Sequence, residues 1–220
     1  MPTLMPSFSR IVRGELLWND LRYEQRVFVI RSGIFACIAN LEHEIEVPFA
    51  LMGPATTFGM AELFISRATL DTYYSRALTQ SMVCSFPAKP VRKHLEALPN
   101  EQALSIVASA CTNSSVASYA QTKLLAKPLV SDRLMNLLAT ICQLSERGGQ
   151  QRDVVHLTHD ELASLVSSDR ASVTRSLHRL ADAGLVTLGY KCVGVTEAFR
   201  EHIEQEADGL TPFHVPEQDV

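Results

Sequence analysis

The sequence predicts an α+β chain in which a β jelly roll comes first, one long helix follows, and a winged helix-turn-helix comes last. Three observations predict it. Short apolar runs broken by Gly, Pro, Asn and Asp fill the stretch from Ile11 to about Pro87, the texture of a sandwich or jelly roll. Small and apolar residues then recur by threes and fours from Ala103 to Leu124, as on one face of a helix. Residues 158–184 read T-H-D-E-L-A-S-L-V-S-S-D-R-A-S-V-T-R-S-L-H-R-L-A-D-A-G, two short helices joined by a tight turn.

Composition bounds the answer. At 220 residues, 46% of them hydrophobic, the chain is large enough for two domains with a sizeable core. A net charge of −4 argues against indiscriminate nucleic-acid binding and leaves room for a local basic face. Cysteines at 37, 84, 111, 142 and 192 are odd in number and form no C-x-x-C pair, so neither a disulfide framework nor a zinc site is written here. A reduced, cytoplasmic protein is expected. The start, M-P-T-L-M-P-S-F-S-R, has no apolar region behind basic residues, and no stretch approaches transmembrane length, so no membrane partner is expected.

The strands are expected at Gln25 to Ile30, Gly33 to Ala39, Ile45 to Leu51, Tyr73 to Leu78 and Met82 to Phe86, with a turn at Arg31-Ser32-Gly33. One long helical segment is expected between Pro90 and Lys127. On it Ile106, Ala110, Asn113, Ala117, Ala120 and Leu124, with Ala103, have the spacing of a coiled-coil seam, where a polar Asn fixes register. This reads as a dimerisation helix; the alternative is a helix packed against its own β domain. Lys127-Pro128 should interrupt it as a hinge, because proline disfavours helical geometry in the residue before it. Ser131 then caps a helix bearing Leu134, Leu137, Leu138 and Ile141, and a loop at Gly148-Gly149-Gln150-Gln151 precedes a short strand from Val154 to Leu157.

The helix-turn-helix is legible residue by residue. Thr158 with Glu161 is a capping-box pair, and Leu162, Leu165 and Val166 form one apolar face. Ser167-Ser168-Asp169 interrupts with residues that favour turns and caps. In the second helix Val173, Leu177 and Leu180 face inward, and Gly184 stands where a left-handed cap is wanted. Arg170, Ala171, Ser172, Thr174, Arg175 and Arg179 are left outside, the residue types that an element entering the major groove requires. Two apolar runs around Gly189-Tyr190-Lys191 read as a hairpin, hence a wing, with Lys191 adding to the basic face. The alternative is an amphipathic helix pair in an ordinary α-rich core.

L-T-H-D-E-L-A-S-L-V-S-S-D-R-A-S-V-T-R-S-L-H-R-L followed by G-L-V resembles the DNA-binding domain of the CRP/FNR superfamily of bacterial transcription regulators. V-F-V-I-R-S-G and T-F-G-M-A-E-L-F resemble the cyclic-nucleotide-binding-like sensor domain of that superfamily, and V-S-D-R-L-M-N-L-L its hinge-following helix. The resemblance implies base reading by Arg170, Ala171 and Arg175, and phosphate contacts near Thr158, His159 and Ser172. It also implies a homodimer on an inverted-repeat duplex, with RNA polymerase as a further partner. Domains are then expected at 1–99 (sensor), 100–127 (dimerisation helix), 128–147 (hinge-following helix), 148–199 (winged helix-turn-helix, recognition helix about 169–183) and 200–220 (acidic helix or tail). Three residues depart from the pattern. Ala171 replaces a common Glu that reads cytosine, Ser167 replaces a common Gly, and Asp169 replaces a common hydroxyl.

The effector pocket implied by the resemblance falls on Gly59, Met60, Glu62, Thr72 and Asn113. Met60 stands where a ribose-binding Glu would be, and Leu70 or Asp71 falls near the phosphate-binding Arg, with Arg67 or Arg76 as substitutes. No response to cyclic AMP is therefore expected. No cysteine cluster lies near the N-terminus, so no Fe-S cluster is expected. Haem is not expected either, since His43 and His94, though available, are commonplace on a surface loop or helix; the effector stays unknown. Cys37 and Cys84 read as small core residues and Cys111 as the candidate for oxidation. No catalytic set is expected. The leading function is a sequence-specific transcription regulator responding to a signal other than cyclic AMP. A constitutive DNA binder on a ligand-free β scaffold is the first alternative, and a cupin-like metalloenzyme using His43, Glu44 and Glu46 the second.

Overall fold

A computed structural model describes residues 4–17, 26–41, 45–60, 63–64, 73–149 and 153–207. The chain divides into two units, residues 1–122 with 143–152 and residues 123–142 with 153–220. Among the described residues of the first unit, eight strands run in chain order: β1 (Ser7–Ile11), β2 (Leu16–Leu17), β3 (Arg26–Ser32), β4 (Phe35–Leu41), β5 (Ile45–Met52), β6 (Thr57–Phe58), β7 (Tyr73–Ala77) and β8 (Ser81–Pro87). They form two four-stranded sheets, ordered β1-β8-β3-β6 and β2-β7-β4-β5. Every pairing in them is antiparallel.

Alternation along each strand builds the core between the sheets. Ile11, Ile30, Phe58 and Val83 from one sheet share a buried cluster with Leu17, Phe35, Cys37, Ala50, Met52 and Ala77 from the other. Phe35 is fully buried and meets Phe58 edge to face at 5.5 Å. Truncating such a ring to Ala removes about 3–5 kcal/mol, the transfer energy plus the cavity left behind. Gly33 makes the tight turn from β3 to β4 at φ +91, where a Cβ would lie 2.0 Å from Ser81 Oγ, so only glycine fits. Residues 7–11, 16–17 and 57–58 are strands that the sequence pattern did not mark.

The helical segment expected from Pro90 to Lys127 is two helices, α1 (Ala88–Ala97) and α2 (Asn100–Leu125). The break has a steric cause. Pro99 bars helical geometry from the residue before it, and Leu98 is extended at φ −80, ψ 156. Val91 and Leu95 of α1 share a second buried cluster with Val27, Met60, Leu63 and Ala110, against which Ala103 and Val107 of α2 also pack. Ala117 packs against the cluster between the sheets. Ser114, Ser118 and Thr122 donate to the carbonyls of Ala110, Ser114 and Ser118 at 3.2, 3.1 and 2.9 Å. Their hydroxyls are thereby satisfied inside a helix that they otherwise disfavour.

Helix α3 (Val130–Arg147) begins one residue before Ser131. Ser131 therefore lies in the first turn, its hydroxyl bonded to the Asp132 carboxylate at 3.2 Å, and does not cap the helix. Leu134, Leu137 and Leu138 are completely buried. The second unit continues with β9 (Val154–Val155), α4 (His159–Leu165), α5 (Arg170–Asp182), β10 (Val186–Gly189), β11 (Cys192–Val195) and α6 (Glu197–Ala207). Its sheet is ordered β10-β11-β9. Leu157, expected in the strand, lies just beyond it and is buried. Thr196 starts α6 by accepting from Phe199 N at 3.2 Å. The tail from Asp208 and the Gln150-Gln151 part of the expected loop lie outside the described residues.

Candidate nucleic-acid interface

Helix α4 opens on a complete capping box. Thr158 Oγ1 accepts from Glu161 N at 3.2 Å, while the Glu161 carboxylate accepts from Thr158 N at 2.7 Å and from its hydroxyl at 2.8 Å. Leu162, Leu165 and Val166 are buried and seat the helix. The turn that follows puts Ser167 at φ +49, the left-handed geometry that a side chain tolerates poorly.

Asp169 then caps α5. Its carboxylate accepts from Ser172 Oγ at 2.6 Å and Ser172 N at 2.8 Å, and these bonds, the hydroxyl first, hold its carboxyl below the ordinary value for aspartate. Val173 and Leu177 are fully buried and Leu180 nearly so, which fixes the rotation of α5 about its axis. Ala183, Gly184 and Leu185 close the helix. Gly184, at φ +73, donates to Ala181 O at 2.9 Å, and Leu185 N donates to Leu180 O at 2.9 Å. That pair of bonds is a Schellman cap.

With the inward stripe fixed, Arg170, Ala171, Arg175 and Arg179 are exposed, and Ser172 and Thr174 are half-buried. The face is internally bonded. Arg170 Nη1 pairs with Asp160 at 3.2 Å, Arg175 Nη2 donates to Ser172 Oγ at 2.9 Å, and His159 Nδ1 lies 2.8 Å from Thr174 Oγ1. The wing turns through Tyr190 and Lys191, with Lys191 at φ +55 and its Nζ 5.2 Å from the Tyr190 ring centroid. Tyr190 is 88% exposed. An aromatic residue in a two-residue turn between apolar strands was the available signal for it, yet sequence reasoning singled out Lys191 alone. Arg133, which ties the start of α3 to the helix-turn-helix turn, was also missed; an Arg in the first turn after Pro128 was its signal.

Gly59 is at φ +80, and a Cβ there would lie 2.3 Å from Arg26 O. Met60 is buried in the apolar cluster that includes Ala110, and Asn113, one turn along α2, is half-buried. Glu62, Thr72, Arg67, Leu70, Asp71, His43 and Glu44 lie outside the described residues. On α2, Ala110 and Leu124 are buried within the chain, Ala117 is half-buried, and Ile106 and Ala120 are exposed. The first two are therefore engaged by their own fold. Glu46 is bonded to Tyr74 and Arg76. Among the described residues no group of three or more His, Cys, Asp or Glu is placed to hold a metal ion. Cys37 and Cys84 are buried and Cys111 is exposed. Among those residues, too, no helix is long and apolar enough to cross a membrane.

The described residues form a two-sheet β unit, long helices and a C-terminal winged helix-turn-helix. Residues 132–197 match the family model of the Crp-like helix-turn-helix domain. Over 194 residues the chain is 26% identical to the CRP-like cAMP-activated global transcriptional regulator of Mycobacterium tuberculosis, covering 86% of this chain and 83% of that one. In fold it resembles a CRP-family transcriptional regulator from Thermus thermophilus, with a TM-score of 0.72 and 20% identity over 91% of this chain and 96% of the other. It also resembles the c-di-GMP responsive global regulator CLP of Xanthomonas campestris, with a TM-score of 0.66 and 20% identity over 86% and 93%. Residues 132–197 are thus similar to the Crp-like helix-turn-helix domain, and the chain over most of its length is similar to CRP-like transcriptional regulators.

Proposed function

We propose that the protein is a homodimeric, sequence-specific DNA-binding regulator that places α5 in the major groove and answers a signal other than cyclic AMP. The observation that carries the reading is the division of α5. Val173 and Leu177 are completely buried, whereas Arg170, Ala171 and Arg175, in the first half of the helix, are exposed. An Arg fork there suits O6 and N7 of guanine, and the Ala171 methyl suits the thymine methyl. With Ala171 in place of the Glu common in the superfamily, a half-site without the usual cytosine preference is expected. Two such readers on a two-fold dimer address half-sites about one turn, ~34 Å, apart.

For the dimer, the outward face of α2 is the natural seam: Leu104 and Tyr119 are 68% and 57% exposed. Ala110 and Leu124 are buried within the single chain. Met60 supports the second half of the reading, because a buried thioether offers a ribose hydroxyl no strong acceptor.

The test is selection of bound sequences from random duplex DNA by the purified protein, with and without cell extract, followed by calorimetry with cyclic AMP. An enriched inverted repeat with helical-turn spacing and no saturable nucleotide binding are the expected results. Failure to enrich any sequence in either condition would sink the DNA reading, and micromolar cyclic AMP binding would sink the reading of the signal.

A further inference from the structure

We propose that His159 makes a proton-linked contact to the DNA backbone, so that each reader takes up one proton as it binds its half-site. This rests on the DNA-reading function above and adds to it the protonation state that the contact requires. The hydrogens available at Thr174 decide which nitrogen of the ring is protonated. Thr174 Oγ1 lies 2.9 Å from Arg170 O and 2.8 Å from His159 Nδ1. A hydroxyl has a single hydrogen, and a carbonyl oxygen has none to give. That hydrogen is therefore committed to Arg170, and Thr174 Oγ1 meets the imidazole as an acceptor. His159 Nδ1 carries a hydrogen in either charge state of the ring.

The consequence falls on the other nitrogen. In a neutral ring with its hydrogen on Nδ1, Nε2 is a bare lone pair. Facing a phosphate oxygen it repels. Only the imidazolium presents an N–H there and a positive charge with it, so the phosphate contact demands a second proton. The neighbouring ionisable groups do not supply a competing anion. On α4, Asp160 is paired with Arg170 at 3.2 Å and Glu161 is bound into the capping box. On α5, the helix packed against α4, Asp169 and Arg175 are both held on Ser172. His178, one turn beyond Thr174, and His156, before α4, are exposed imidazoles that a variant at 159 leaves untouched.

The experiment measures affinity for the selected duplex at fixed salt across the range in which imidazoles titrate, together with nitrogen NMR of the ring in the free protein. The wild type should weaken with rising pH, approaching about tenfold per pH unit for each linked proton. His159→Arg should bind with little pH dependence and be the tighter of the two at the alkaline end. The neutral ring should be seen with its hydrogen on Nδ1. Thr174→Val removes the acceptor, frees the ring to hold its hydrogen on Nε2 and should flatten the profile, which keeps the proposal testable if the Arg variant fails to fold. A flat wild-type profile with selective binding intact, a slope that survives in His159→Arg, or a neutral ring protonated on Nε2 each overturns the proposal while leaving the DNA reading standing. Absence of selective binding at every pH overturns both.

Discussion

Arg133 Nη1 donates to the Val166 carbonyl oxygen at 3.2 Å, joining the first turn of α3 to the end of α4. The same guanidinium reaches Ser167 O at 3.4 Å and, through Nε, Lys127 O at 2.7 Å. One planar fork thus holds the residue before Pro128 and the turn of the helix-turn-helix together. A lysine ammonium is a single point of donation and does not reproduce that span.

Replacing Arg133 with Met should lower stability by about 1–3 kcal/mol, the range for bonds to a charged donor whose acceptors are then left unpaired. Arg133→Lys should recover only part of it. Urea unfolding of the full chain provides the measurement, and equal stability of all three proteins would mean that water serves these carbonyls as well.

Ser167 sits at φ +49. Ser167→Gly should raise stability by about 0.5–1 kcal/mol, because glycine reaches that geometry without a Cβ clash and returns only part of the gain as unfolded-state entropy. Ser167→Val should lower it. Thermal melts of both variants decide the point; a lower melting temperature for the glycine variant would show that the Ser167 side chain contributes more than the strain removes.

Tyr74 is buried, and burial first, then its hydrogen bond to Glu46, pushes the phenol up to about 12. A phenol in the unfolded chain ionises near ~10. The folded state therefore holds this proton more tightly, and its contribution to stability is complete below pH ~10 and is lost as pH rises toward about 12. Glu46→Gln should bring the Tyr74 transition to lower pH in an ultraviolet titration, read against Tyr74→Phe. An unmoved transition would leave burial as the sole cause.

Arg175→Ala should remove about 1–3 kcal/mol of discrimination between the selected operator and a variant changed at the base pair that Arg175 reads. Competition binding at two salt concentrations measures it. Equal loss on every duplex would make Arg175 a phosphate contact. Ser172→Ala should have a smaller effect of the same kind, since Ser172 Oγ holds Arg175 Nη2 at 2.9 Å.

The helix-turn-helix was legible because its determinants are local. Thr158 and Glu161 cap within one turn, Val173 and Leu177 repeat at helical spacing, and Gly184 ends the helix three residues past Ala181. The β unit was legible only where strands were long. Leu16–Leu17 and Thr57–Phe58 are two residues each, too short for alternation to register, and they exist because β7 and β3 provide partners. The inward face of α2 was left open between two readings for a related reason. Ala, Ser and Thr dominate its sequence, so hydropathy gave two stripes nearly equal weight, and only contact with Met60 and Val91 placed Ala110 inside. Arg133 and Val166, far apart in sequence, had no local signature at all.

The placement of α2 has an evolutionary consequence. Ala103, Val107, Ala110 and Ala117 carry the packing against the β unit, whereas Leu104, Cys111 and Ser115 are exposed. Substitutions on the outward stripe therefore change the surface that the helix presents without disturbing that packing. Chains descended from this one would diverge along one stripe of a helix while the other stripe stayed fixed.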